Sequence, residues 1–196
     1  MTAVSRNPMR TPRHASPVLV LLGLCLCDWA GAAEPALPEK LRISIEASDG
    51  QTLPIGTLHL VPQDGGYRTR VTLDDSAFEA QFLSMRPFQC LPHPEETVCY
   101  LPYPYENRRF IRDGDLTDLE YDLLFLHKSP AEYGIDAWNG FYYRLSRTPD
   151  GFTGTLYETD LNVLASPPER GELRPIKPSE LYEASDRHWP RRLTIH

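Results

Sequence analysis

Proline is the residue that most limits what this chain can fold into. Of its 19 prolines, all but Pro8, Pro12 and Pro17 fall after residue 33, near twice the usual ~5%. Each proline ring fixes φ and removes an amide donor. This density therefore breaks long helices and favours strands joined by loops.

Side-chain alternation points the same way. Leu41, Ile43 and Ile45 alternate with Arg42, Ser44 and Glu46, the period of a half-buried strand. A second apolar run covers 57–61 and ends at Pro62. Asp64-Gly65-Gly66 is a tight-turn signal, because glycine accepts positive φ. Tyr67, Thr69, Val71 and Leu73 alternate with charged and polar residues, and so do Phe78, Ala80 and Phe82. The four runs read as an antiparallel meander with one wet face. Short strands at 88–90 and 98–101 flank a proline-rich loop. Leu119, Tyr121, Leu123 and Phe125 read as a further strand, with Leu124 and Leu126 on its opposite face, which suggests a central position. Ser129-Pro130-Ala131-Glu132 reads as a capped helical turn. Residues 141–164 read as a hairpin turned at Pro149-Asp150-Gly151. Beyond Ser166, prolines interrupt a charged stretch. There, 179–184 reads as a helical turn, and Leu193 and Ile195 as a late edge strand.

These readings predict one all-β domain over 38–165 with very little helix. Its architecture is a small antiparallel β-barrel of lipocalin-like form or a β-sandwich. A proline- and charge-rich C-terminal arm, 166–196, packs on the domain or extends from it.

The first 33 residues have the order of parts of a cleaved secretory signal. Arg6, Arg10 and Arg13 precede an apolar core at 18–27, and Trp29-Ala30-Gly31-Ala32-Ala33 supplies small residues for cleavage. Ten residues span about 15 Å as a helix, half a bilayer core, so no membrane span is predicted. Cys25 and Cys27 raise lipid attachment as an alternative, disfavoured because bulky Leu24 and Leu26 precede them. The expected destination is the periplasm or the extracellular space. Cleavage takes three arginines and Asp28 from a formal charge of −7, leaving 17 basic and 26 acidic residues. That balance argues against nucleic acid as a partner.

Cleavage also leaves two cysteines, Cys90 and Cys99. In an oxidising compartment an even pair reads as a disulfide. A redox pair is disfavoured by the spacing, and a zinc site with His93 by the lack of a fourth nearby ligand.

No catalytic, cofactor or metal motif is present. His59, His93, His127, His188 and His196 form no H-x-H or H-E-x-x-H spacing, and His127 reads as the polar end of a strand. There is no G-x-S-x-G elbow, phosphate loop or dinucleotide fingerprint. Asp113, Asp115 and Asp118 are the densest acids, but Glu120 comes too early for an EF-hand, so they read as a solvated turn. The stretch from Tyr100 through Tyr103, Tyr105, Arg108 and Arg109 is the candidate recognition surface, because tyrosine and arginine are enriched where proteins bind. The competing reading is a tyrosine-rich loop packed over the core. The function expected is non-enzymatic binding or envelope interaction with a protein or glycan. The alternatives are a carrier of a small apolar ligand and a carboxylate-dependent hydrolase.

Overall fold

The computed structural model describes residues 1–2 and 36–196. The chain divides into the units Met1–Ala33 and Glu34–His196. The signal-peptide reading, 1–33, covers the first unit, and all of it after Thr2 lies outside the described residues.

The second unit is nearly all strand. In chain order it has β1 (Lys40–Ala47), β2 (Thr52–Gln63), β3 (Gly66–Leu73), β4 (Glu79–Leu83), β5 (Arg86–Leu91), β6 (Thr97–Tyr100) and β7 (Phe110–Ile111). A short helix α1 (Thr117–Tyr121) follows, then β8 (Phe125–Lys128), β9 (Gly140–Thr148), β10 (Gly151–Thr159), β11 (Tyr182–Glu183) and β12 (Pro190–Ile195). All strands join one antiparallel sheet in the order β4-β5-β6-β8-β9-β10-β12-β1-β2-β3-β7, with β11 also on β10. Its edges β4 and β7 do not pair, so the sheet is open. One continuous sheet also replaces the sandwich alternative, which needs two.

The hairpins form where turn chemistry and alternation agree. Gly65 takes φ +76° between β2 and β3, as its turn requires. β9 and β10 pair from Gly151↔Thr148 to Thr159↔Gly140. At Gly151 a Cβ would stand 1.8 Å from the Ile195 carbonyl oxygen, so only glycine admits β12 there. Pro62 does not end β2, which runs to Gln63. The strand also absorbs Pro54, where the register with β1 shifts, a place that tolerates proline.

Several sequence readings are corrected. The meander stops at three strands. Asp74 accepts from Ser76 N at 3.0 Å and caps a 3-10 turn at Asp75–Ala77, which carries the chain away, and β4 pairs with β5 instead. The set at 119–125 is not a strand. Leu116, Leu119 and Leu123 also satisfy helical spacing, and α1 forms there before β8 begins. The 129–132 segment is a single turn with no helix. Its capping contacts do form: Glu132 Oε2 accepts from Ser129 N at 2.8 Å and Ser129 Oγ from Ala131 N at 3.3 Å. The 179–184 segment splits into a 3-10 turn and β11. β12 is not an edge strand: it lies between β1 and β10.

Cys90 and Cys99 face each other across β5 and β6 and are disulfide-bonded. The sheet is covered on both faces around β8 and β9. Phe125, Phe141 and Tyr143 enter one core with Ile43, Leu58 and Leu193. Leu124, Leu126 and Tyr142 enter a second with Tyr121, Leu161 and Ile176. β8 therefore carries apolar side chains on both faces, as a central strand does. Among the described residues no helix is long and apolar enough to cross a membrane.

Candidate functional site

Two features concentrate polar chemistry against these cores. The first is a half-open cleft of about 820 Å³ bounded by the β2–β3 turn, the segment from β7 to α1, β9 and the C-terminal stretch near Ile176. Its apolar lining includes Leu37, Ile111, Leu145 and Phe152, all members of the main core. Arg112, Arg144, Arg147 and Arg174 line it as well, against the acids Asp113 and Glu120.

Glu120 reaches the cleft from α1 and is 7% exposed. Its Oε1 accepts from Leu145 N at 2.7 Å, and its Oε2 accepts from the Tyr142 hydroxyl. Burial raises its pKa above the usual carboxylate range even though both hydrogen bonds favour the charged form. A buried acid in a cleft is where a hydrolase keeps its proton donor. Here both carboxyl oxygens are already committed to β9, which fits an anchor better than a catalyst.

Arg174 lines the cleft from the segment after β10. Its Nη1 donates to both oxygens of Asp115 at 2.9 and 3.0 Å, and its Nε donates to Asp118 Oδ1 at 2.8 Å. Asp118 Oδ2 accepts from Phe110 N at 3.2 Å. Burial works against the charge on Asp115, but Arg174 prevails and holds its pKa below the usual range. The dense acids of 113–118 thus serve largely to hold Arg174.

The second feature lies where β6, β8, β10 and the turn before β12 converge. Glu96 Oε1 sits 2.8 Å from His127 Nδ1 and 2.8 Å from His188 Nδ1. The other nitrogen of His188 is 2.9 Å from Glu158 Oε1, which also accepts from Ser185 N at 2.9 Å. Burial works against both carboxylates, yet contacts to His188 and their other donors leave the pKa values of Glu96 and Glu158 lowered. His188 moves up for the reciprocal reason. His127 stacks on Phe141 at 4.1 Å between centroids. Trp189 Nε1 donates to the Glu96 carbonyl at 3.0 Å, and His93 stacks on the Trp189 ring. One donor atom from each of Glu96, His127 and His188 falls within 4.8 Å of the others.

The sequence-predicted recognition residues occupy other ground. Tyr100 donates to Asp122 O at 3.3 Å, Tyr103 to Leu173 O at 2.9 Å and Tyr105 to Leu164 O at 2.7 Å. Burial and the neighbouring Asp122 push the Tyr100 hydroxyl up to about 12. The Tyr103 and Tyr105 hydroxyls tie this stretch to the segments after β10, and the Tyr100 hydroxyl ties it to the turn between α1 and β8. Tyr100 and Tyr105 share a groove of about 550 Å³ with Pro102, Pro104 and Phe88. Arg108 and Arg109 are exposed and do not line it; Arg109 Nε approaches Asp122 Oδ2 at 3.5 Å. Sequence reasoning did not single out Glu96 or Glu158, found no metal-ligand spacing for His188, and treated His127 as a strand end. Glu96 and His188 stand 92 positions apart, so no local motif marks them.

Comparison of this chain with protein-family models, with curated proteins and with solved structures finds no match.

Proposed function

We propose that this is an exported, non-enzymatic binding protein whose cleft takes a small amphipathic anion. The observation that carries the reading is the make-up of the cleft: about 820 Å³, a floor of core side chains and four arginines in its lining. That volume lies within the ~300–1,000 Å³ of small-ligand sites, which combine apolar walls with a few placed polar groups. An apolar tail would lie against Leu37, Leu145 and Phe152, and an anionic head against the guanidinium groups of Arg112 and Arg144, which recognise carboxylate and phosphate, while Arg174 is held by Asp115 and Asp118. In this reading the open sheet curls around the ligand as a barrel-like trough, in the manner of a carrier. The N-terminal signal pattern and the disulfide support a periplasmic or extracellular setting.

Titration calorimetry with a medium-chain fatty acid and the alcohol of equal length tests this. The acid should bind more tightly by a factor of about 10, the worth of one charge-assisted contact of roughly 1.5 kcal/mol. Arg144→Ala should remove that preference and leave the alcohol unchanged, while Arg86→Ala outside the cleft changes neither. Equal affinity for acid and alcohol in the unmodified protein, or no binding of either, would refute the reading.

A further inference from the structure

We infer that Glu96, His127 and His188 form a binding site for a divalent transition ion of the zinc class, with Glu158 orienting His188. Two imidazoles and a carboxylate suit zinc and its neighbours. They do not suit magnesium or calcium, which take oxygen ligands. Zinc bonds of about 2.0–2.2 Å set neighbouring tetrahedral ligands about 3.3 Å apart. Here Glu96 Oε1 is 2.8 Å from each histidine Nδ1, and all three donors lie within 4.8 Å of one another. Small side-chain movements bring them onto one ion.

The surroundings are built as those of a metal site are. A ligating histidine usually gives its second ring nitrogen to a carboxylate, which fixes the ring and its tautomer. His188 Nε2 meets Glu158 Oε1 at 2.9 Å, and Glu158 is itself held by Ser185 N. His127 is fixed by stacking on Phe141, and the Glu96 backbone by Trp189. The side chains of Glu96, His127 and His188 are 12%, 15% and 12% exposed, so the ligands are sheltered but reachable.

Two buried oxygens point to a missing partner. Glu96 Oε2 and the Tyr143 hydroxyl have no hydrogen-bond partner among the described residues. Tyr143 is fully buried, and its hydroxyl feels the Glu96 charge. Buried polar atoms are seldom left unpaired, and an ion is one of the standard explanations. An ion held by Glu96, His127 and His188 would place a compensating positive charge beside the whole Glu96 carboxylate, Oε2 included. Three protein ligands also leave a fourth position for water or a small ligand, unlike a structural site closed by four protein ligands.

The test uses the full untagged chain, freed of metal with a chelator and titrated with Zn²⁺, Mg²⁺ and Co²⁺. One Zn²⁺ should bind per chain, Mg²⁺ in tenfold excess should not displace it, and Co²⁺ should give a visible ligand-field band. His127→Ala, His188→Ala and Glu96→Gln should each abolish the band. Glu158→Gln should keep it while weakening affinity about 10–100-fold, and His59→Ala should change nothing. The Co²⁺ spectrum of the unsubstituted protein decides even where a variant fails to fold. No band there, or a band unchanged in folded Glu96→Gln, would overturn the site.

Discussion

Glu120 carries an ionisable group into a place water scarcely reaches, and its two oxygens hold the β9 amide of Leu145 and the Tyr142 hydroxyl. Burial raises its pKa above that of the unfolded chain. The sign follows from linkage: its contribution to stability is fully present below the unfolded pKa and is lost as pH rises through the folded one. Glu120→Gln keeps the shape and cannot ionise. Its stability measured by urea denaturation should therefore depend less on pH above the ordinary carboxylate range than that of the unsubstituted protein, with the difference favouring the variant as pH rises. Glu120→Ala strands the Leu145 amide and the tyrosine hydroxyl and should be about 2–4 kcal/mol less stable than Glu120→Gln whatever the pH, since each unsatisfied buried group costs roughly 1–3 kcal/mol. An alanine variant as stable as the glutamine variant would show that this carboxyl does not organise the cleft.

Segments with little regular structure are pinned by single side chains, and two predictions belong at that scale. Arg174, with the hydroxyl contacts from Tyr103 to Leu173 and from Tyr121 to Ile176, ties the segment after β10 to α1. Arg174→Met leaves Asp118 buried without its charge partner and should cost about 3 kcal/mol, near the lower end for breaking a buried pair. Arg174→Lys should recover less than half of that, since one ammonium cannot reproduce the fork to both carboxylates. Chemical denaturation measures the loss, and faster proteolytic cleavage within 166–176 should accompany it. The disulfide does similar work, because β5 and β6 share only the pairs Cys90↔Cys99 and Leu91↔Val98. Cys99→Ser should cost about 2–3 kcal/mol by the loop-entropy estimate and raise amide exchange across 91–100, the loop that carries Glu96. Unchanged exchange there would mean that Trp189 alone fixes the loop. The elements legible in the sequence were those whose signals are local: the β2–β3 and β9–β10 hairpins, with glycine at the turn and strict alternation beside it. The β4–β5 turn escaped because Ser84 and Met85 adopt positive φ without glycine, held by two hydrogen bonds between the Ser84 hydroxyl and Ile135. α1 escaped because one leucine-rich run satisfies both periods. The tyrosine stretch was legible as composition, but which way its hydroxyls turn is set by distant backbone. The Glu96–His127–His188 cluster is assembled by the sheet order and had no signature of its own.

The two halves of the sheet meet at β12. On one side are β1, β2, β3 and β7; on the other are β10, β9, β8, β6, β5 and β4. β12 pairs with β1 from Ile43↔Ile195 and with β10 from Phe152↔Ile195. Leu193 and Ile195 are fully buried, and Trp189 is 1% exposed. The sheet therefore cannot be completed without β12. Non-local pairing of this kind slows folding. An edge strand at the C-terminus would be dispensable, and an interior one is not. Truncation after His188 should abolish the cooperative thermal transition rather than lower its midpoint. Leu193→Ala and Ile195→Ala should each cost about 2–5 kcal/mol, the range for large core side chains cut to alanine. Calorimetry on the truncated chain decides between the two roles. A sharp transition within a few degrees of the full-length midpoint would mean that β1 and β10 hold together without β12, and that the two halves of the sheet are joined through the core instead.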